Sequence, residues 1–209
     1  MEGIMANVGK VAAVEDIYSF TRTGMVQDSH SRMDTSVSTT TSHTGGYNSR
    51  ATTNTSVSST EMLRIFVRQD GDKGEFEAEF ADPAFGVREG HHVTVVYAGD
   101  QASQAGYPMA LVNHSTERHQ IFAKRTEWII NRTNQWMGCL TLIGLPLIVA
   151  LLFMAMTPDL FVIGFVMGLI GTGIWMFGWK RKNDALAAAI VDVLNQHVRE
   201  ATEAQTKAG

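Results

Sequence analysis

Two neighbouring uncharged runs constrain this chain more than any other feature of its sequence. Residues 137–156 read MGCLTLIGLPLIVALLFMAM and residues 160–179 read LFVIGFVMGLIGTGIWMFGW. As a helix, each run extends about 30 Å, which matches the hydrocarbon thickness of a bilayer. Only Thr157, Pro158 and Asp159 separate the two runs. The sequence therefore predicts a transmembrane helical hairpin over 137–179, and two buried helices of a soluble core are the alternative.

The residues that flank these runs predict the orientation of the hairpin. Basic residues lie in the connector 123–136 and directly after the second run, whereas the bend between the runs has none. The positive-inside rule then places both termini in the cytoplasm. The start of the chain has no basic region followed by an apolar core, so we expect no signal peptide. The predicted location is a bacterial inner (plasma) membrane, with membrane-interface residues Trp136, Trp179, Lys180, Arg181 and Lys182.

Glycines in the second run predict close helix packing. Gly164 and Gly168 are one turn apart, and Gly171 extends the same face. Small residues at this spacing let another helix approach closely. The partner is either the first helix of the same hairpin or a helix of another copy. Neither run contains a charged residue or histidine, which removes the usual marks of a proton relay.

Residues 1–122 show the alternating pattern of short half-buried strands. In 61–68, Leu63, Ile65 and Val67 alternate with polar residues, and EFEAEF at 75–80 alternates in the same way. Turn-forming segments rich in Gly and Asp separate the strands. We therefore predict a small cytoplasmic all-β barrel or sandwich that resembles SH3- or OB-like domains in shape. With the helices that follow, the fold class is an α+β membrane protein.

The segment 35–60 is unusually rich in hydroxyl side chains. Ser and Thr supply 16 of its 26 residues, and proline is absent. Thr favours strands, and Gly45-Gly46 suits a two-residue hairpin turn that would place Thr44 opposite Tyr47. The prediction is a polar β-hairpin that projects from the barrel, with a mobile loop as the alternative. Neither face is apolar in this register, so pairing with a neighbouring copy is a reason for it to be ordered.

Residues 180–209 predict a cytoplasmic amphipathic helix. Asn183 or Asp184 suits its amino-terminal cap. An apolar stripe then recurs at three- and four-residue steps. The stripe comprises Leu186, Ile190, Val193, Leu194, His197 and Ala201. It either packs on the β domain or the membrane surface, or forms a coiled coil between copies.

Catalytic and metal-binding patterns are weak. The single cysteine, Cys139, lies in an apolar run, and no nucleophile elbow or glycine-rich phosphate loop occurs. His91 and His92 are adjacent in a strand and so point to opposite faces, which disfavours one metal bound by both. His114 and His119 lie near a predicted turn, and a cluster of His91 or His92 with His114 is the alternative to ordinary surface histidines. DGDKGE within 70–75 lacks the spacing of a calcium loop and predicts a hairpin turn. We therefore predict no catalytic residue, no cofactor and no metal.

The predicted function is a membrane-anchored binding or scaffold module that is not an enzyme. Its expected partners are the lipid bilayer, further copies of itself and a cytoplasmic protein or small ligand. The net charge of −4 shows no basic stripe, so nucleic acid is not expected. A homo-oligomeric pore or membrane-perturbing effector gated by the β domain is the alternative. An enzyme built from residues 88–119 ranks third.

Overall fold

The computed structural model describes residues 8–44, 50–71, 73–130, 135–157 and 161–208. Six strands form one antiparallel sheet in the order β3-β2-β1-β4-β5-β6. The strands are β1 (Ile17–Thr44), β2 (Arg50–Gln69), β3 (Glu75–Ala81), β4 (His92–Asp100), β5 (Ala105–Asn113) and β6 (Arg118–Ile121). The helices are the short α1 (Thr126–Ile129), α2 (Gln135–Met156) and α3 (Phe161–Ala208). The fold class is thus α+β, as predicted.

The sheet is open, so the prediction of a closed barrel is wrong. Its edges are β3 and β6, which do not pair with each other in the strand order. Two of the strands are long: β1 has 28 residues and β2 has 20. A small barrel closes with strands of matched length and a consistent stagger. The length of this central pair, instead, carries much of β1 and β2 beyond their neighbours.

One face of the sheet is apolar, as the alternation predicted. Leu63, Ile65 and Val67 are buried on β2, and β3 pairs with them in register. The partners on β3 are Phe80, Ala78 and Phe76, all buried. On the other face, Arg64 donates to Glu77 at 2.6 Å across the same two strands. The acidic residues of β3 therefore keep an edge strand polar on its exposed face, which discourages edge-to-edge aggregation.

The hydroxyl-rich segment is a β-ribbon, and its predicted register is wrong. β1 and β2 pair continuously up to Thr44 opposite Arg50. Thr40 therefore faces Asn54, whereas a two-residue turn would have placed Ala51 there. The connection comprises residues 45–49, and Gly45-Gly46 lies outside the described residues. A connection of this length shifts the register, so each side chain of β2 points to the face opposite to the predicted one.

Helix α3 is continuous, so the prediction of a separate helix after Lys182 is wrong. It has 48 residues and extends about 72 Å. No glycine or proline occurs between Gly178 and the end of α3, and the cap residues Asn183 and Asp184 are interior positions. The capping signal there is overridden because nothing in the sequence interrupts the backbone hydrogen bonds.

Half of the predicted stripe of α3 is buried within a single chain, and Val193, His197 and Ala201 are half-buried. Leu186, Ile190 and Leu194 are buried, and Val198 continues the stripe. Residues of the same chain thus cover these four positions. These helical residues belong to two compact units of the chain. One unit takes the described residues of Met1–Ser19, Ala98–Tyr107 and Phe122–Asn195, and the other those of Phe20–Tyr97, Pro108–Ile121 and Gln196–Gly209.

Helices α2 and α3 contact each other through glycines of α3. A methyl group placed on Gly168 would lie 2.5 Å from the Pro146 Cα, and one on Gly164 would lie 2.8 Å from the Phe153 Cβ. Lower numbers on α2 meet higher numbers on α3, as in antiparallel neighbours. Gly171, by contrast, has open space where a side chain would lie.

Substitution of these two glycines by alanine should have opposite effects. Gly168→Ala places a methyl group against the α2 backbone, so we expect a loss of about 1–3 kcal/mol in the free energy of unfolding. Gly171→Ala meets nothing and adds helix propensity, so it should be neutral or stabilising by up to about 1 kcal/mol. Thermal unfolding of the full chain in detergent, followed by circular dichroism, measures both. Equal effects at the two positions would contradict this contact.

Candidate functional site

A groove on the polar face of the sheet is the candidate site among the described residues. It has a volume of about 550 Å³, and all its lining residues belong to the unit that contains most of the sheet. Strand residues and the loop after β5 form one wall, and the last turns of α3 form the other. The lining residues are Thr21, Thr23, His92, Thr94, His114, His197, Glu200, Ala201 and Ala204.

Strand alternation explains why these side chains share one wall. Thr21 and Thr23 are two positions apart on β1, and His92 and Thr94 are two positions apart on β4. Side chains at this spacing point to the same face of a sheet. The small side chains of Ala201 and Ala204 on α3 leave space in front of this wall. The groove is therefore lined by hydroxyl and imidazole groups on the strand side, and by two alanine methyl groups together with His197 and Glu200 on the α3 side.

The floor of the groove is a connected chain of polar groups. The Thr94 hydroxyl lies 2.8 Å from the Thr23 hydroxyl and 2.7 Å from His114 Nε2. Thr94 and His114 are both buried. A hydroxyl has one proton to donate, so the protonation of Nε2 sets the direction of both bonds. If Nε2 accepts from Thr94, Thr23 donates to Thr94; if Nε2 donates, Thr94 is free to donate to Thr23.

Two further histidines of the groove lie beside carboxylates. His92 Nε2 is 2.9 Å from Asp70 Oδ2, and the His92 ring centroid is 5.3 Å from that of His114. On α3, His197 Nδ1 is 3.3 Å from Glu200 Oε2. Each pair has at least one exposed partner, so water screens the attraction between its charges.

His91 is directed away from the groove, as the strand alternation predicted. Its Nδ1 accepts from the Arg88 backbone N–H at 3.3 Å and from the Asn113 side-chain amide at 2.9 Å. An Nδ1 that accepts twice leaves the ring proton on Nε2. The fourth candidate, His119, lies exposed on β6. Among the described residues, no three His, Cys, Asp or Glu side chains lie close enough together to hold a metal ion.

The opposite face of the sheet carries an aromatic cluster around one arginine. The Phe20 and Tyr97 rings stack with centroids 4.8 Å apart, and the Arg22 guanidinium lies 5.6 Å from the Tyr97 ring. Phe76 completes the cluster at 5.7 Å from Arg22. Burial raises the pKa of the Tyr97 hydroxyl above its usual value, with the Arg22 charge acting in the opposite direction. The cluster fixes β1, β3 and β4 against one another.

The residues predicted at the membrane interface all lie on α2 and α3. Trp179 is half-buried, and Lys180, Arg181 and Lys182 are exposed on α3. Trp136 lies in α2, but its side chain is outside the described part of the chain. Of the basic residues in the connector, Arg125 is buried, with its guanidinium 5.0 Å from the Trp128 ring.

Sequence reasoning missed the groove because its walls come from distant parts of the chain. His92 and His197 are separated by 105 positions (197 − 92). The available signal in the sequence was the pair of hydroxyl side chains at alternate positions, Thr21 and Thr23, which places both on one face of a strand. The His197 side of the groove required knowledge of where α3 ends.

The buried Thr94 hydroxyl should contribute to stability. Thr94→Val keeps the shape but removes the link between Thr23 and His114, so we expect a loss of about 1–3 kcal/mol in the free energy of unfolding. Thr21→Val changes an exposed hydroxyl on the rim of the same groove and should stay within about 0.5 kcal/mol of wild type. Urea unfolding of the full chain in detergent compares the two variants. A Thr94→Val protein as stable as Thr21→Val would show that the link carries no free energy.

Comparison of the chain with protein-family models, with curated proteins and with solved structures finds no match.

Proposed function

We propose that this chain is a membrane-anchored binding module. In this proposal α2 and α3 cross a bacterial inner membrane as a two-helix hairpin, with both termini in the cytoplasm. The sheet and the end of α3 form the cytoplasmic binding domain. The chain binds and holds rather than catalyses, and it requires no cofactor.

The exposed apolar surface of α2 and α3 carries this proposal. One helix, α3, is long and apolar enough to cross a membrane, and the described apolar part of α2, Thr141–Ala155, is shorter. Large apolar side chains of both helices are exposed in the isolated chain, where water would solvate them at high cost. Seven of these side chains are 57–70 % exposed, and in the proposed placement lipid covers them: Ile143, Ile148, Leu152, Val162, Met167, Ile174 and Phe177.

The length of the helices supports two crossings. α2 has 22 residues, so its backbone extends about 33 Å. Pro146 lies within α2. Transmembrane helices tolerate an internal proline because neighbouring groups satisfy the backbone carbonyl that it leaves without a hydrogen bond. The contact of Gly168 with Pro146 shows that α3 covers this position of α2. The large apolar side chains of the two helices thus face lipid, whereas Gly164 and Gly168 of α3 lie at the contact with α2.

The membrane placement predicts which engineered cysteines an impermeant maleimide reaches. In a Cys139→Ser background, Thr157→Cys lies at the end of α2 and should be labelled from outside intact spheroplasts. Lys182→Cys lies on α3 beyond the apolar segment and should be labelled only in inverted vesicles or after permeabilisation. The readout is gel shift of the full chain. Labelling of Lys182→Cys from outside, or recovery of the chain in the soluble fraction without detergent, would contradict the proposed placement.

The groove supports the binding part of the proposal. Its hydroxyl and imidazole groups offer donors and acceptors in one wall, and its volume of about 550 Å³ is within the range of small-molecule sites. The buried Thr94 and His114 hold the floor in place, while the half-buried His92 remains reachable. A small polar ligand with an apolar side toward Ala201 and Ala204 fits this division.

Filling the groove should abolish ligand binding. A thermal-shift screen of polar metabolites on the detergent-solubilised full chain should find compounds that stabilise wild type. Ala201→Trp places an indole in the groove and should remove that stabilisation, whereas Glu203→Trp changes an exposed residue of α3 that does not line the groove. If compounds stabilise Ala201→Trp as well as wild type, their site is elsewhere; if none stabilises wild type, the groove is not a small-molecule site.

A second candidate function is a homo-oligomeric pore gated by the β domain. One observation favours it: Gly171, Gly173 and Gly178 of α3 have open space where a side chain would lie. Gly171 and Gly178 are seven positions apart, which places them on one face of a helix. A helix of another copy can approach closely there. The mass of the full chain in nanodiscs separates the candidates, because a monomer cannot enclose a pore.

A further inference from the structure

The end of the β1–β2 ribbon is an arm with two uncovered edges. We name as the ribbon arm residues 33–44 of β1 and 50–61 of β2, which pair along their whole length. Each strand of the arm extends about 40 Å. Its described side chains are all exposed except the half-buried Thr60. A two-stranded ribbon of this kind is marginal in water on its own.

The neighbouring strands stop at the base of the arm. On the β2 side, the pairing with β3 ends at Met62 opposite Ala81. On the β1 side, β4 begins at His92, and the His91 carbonyl accepts from the Val26 N–H at 2.9 Å. Among the described residues, therefore, no strand pairs with the outer edge of either strand of the arm.

The hydrogen bonds at the base show which backbone groups point outward. The Glu61 carbonyl accepts from the Asp82 N–H at 2.7 Å, and the Glu61 N–H donates to the Asp82 carboxylate at 3.2 Å. Both backbone groups of Glu61 therefore point away from β1. In an antiparallel ladder this direction alternates along each strand and is shared by opposite residues, so Met33 points outward on the other side.

The alternation assigns the whole arm. Odd-numbered residues direct N–H and C=O to the outer edges, and even-numbered residues use theirs between β1 and β2. The same odd-numbered residues share one face of the ribbon. The outward-facing positions with described side chains are Met33, Thr35, Val37, Thr39 and Thr41 on β1, and Ala51, Thr53, Thr55, Val57, Ser59 and Glu61 on β2.

The composition of the arm lacks the devices that keep sheet edges apart. Between 35 and 60 the only charged residue is Arg50, and no lysine, acidic residue or proline occurs. Natural proteins use those residues to prevent edge-to-edge pairing. The contrast with β3, where Glu75, Glu77 and Glu79 alternate along an edge strand, lies within the same sheet.

We propose that the occupant of these edges is a second copy of this chain, with the β2 edge of one arm pairing antiparallel with the β1 edge of the next. Beyond Asp34 and Glu61 at its base, the arm carries only Arg50 as a charged residue, so identical arms repel one another little. Their Ser and Thr side chains also match as cross-strand pairs. Pairing β2 with β1 continues the alternation of strand directions and uses both bare edges of every copy.

Anchoring in one bilayer favours this occupant, and this step rests on the proposed function. Copies anchored in the same bilayer are confined to one surface. Their effective concentration is then far above that of a protein free in solution. The interaction therefore needs only modest free energy from each backbone bond.

Amide hydrogen exchange of the full chain in nanodiscs decides the proposal. Even-numbered amides such as Asn54 and Ser56 should be protected by the ribbon itself. Odd-numbered amides such as Thr53, Thr55 and Val57 should exchange up to about tenfold more slowly when copies assemble than when one copy is alone. Loss of that second protection at one copy per nanodisc supports pairing between copies. Odd-numbered amides that exchange freely at every copy number, beside protected even-numbered ones, would overturn the proposal.

A matched set of variants provides the control. Thr39→Pro and Thr55→Pro each remove one outward N–H and leave the β1–β2 bonds in place, so either should release the protection of the odd-numbered amides. Thr39→Val keeps the N–H and should retain that protection. Ser56→Pro breaks the ribbon ladder and identifies the pattern of a misfolded arm. Protection in Thr39→Pro equal to that in Thr39→Val would also overturn the proposal, and the maleimide assay tests the membrane placement independently.

Discussion

The antiparallel ladder between β1 and β2 is the interaction on which the β part of this protein depends. Its lower half, which includes residues 62–69 of β2, lies in the middle of a six-stranded sheet. Its upper half is the ribbon arm, which no further strand flanks among the described residues. One backbone pattern thus serves two environments. In the lower half, the face of Ile65 and Val67 is apolar and buried. In the upper half, the continuation of that face carries threonines around the exposed Val37 and Val57 pair.

Local periodicity predicted the elements of the fold and failed at their connections. The alternation around Leu63 and Phe76 and the uncharged runs identify strands and helices because each signal lies within a few residues of the backbone it describes. Closure of a sheet depends on strand lengths and stagger, and the length of β1 was hidden by its polar composition. The ribbon register failed at a five-residue connection, and the continuity of α3 outweighed a local capping signal at Asn183.

The candidate site was less predictable than the fold. The sequence showed that His91 and His92 would separate to opposite faces, which follows from two-residue periodicity alone. It did not show that His92 and His114 lie beside the last turns of α3, because that depends on tertiary packing. The groove, the aromatic cluster around Arg22 and the apolar helix surfaces are three chemically distinct regions. The proposed anchoring and binding functions use the third and the first of them.

The β-bulge of β1 has a consequence for how this protein can change length. Register shifts by one between Val26 and Asp28, so even-numbered residues face the core before Gln27 and odd-numbered residues face it afterwards. Deleting Gln27 would join Val26 directly to Asp28, so the ladder would continue without a bulge and the distal residues of β1 would keep their partners and their faces. Between the bulge and the end of the ribbon arm, an insertion keeps the distal side chains on their faces only if each strand gains two residues at a time. Each such step adds about 7 Å to the length of the arm. The geometry of the peptide chain thus quantises the permitted lengths of the ribbon arm.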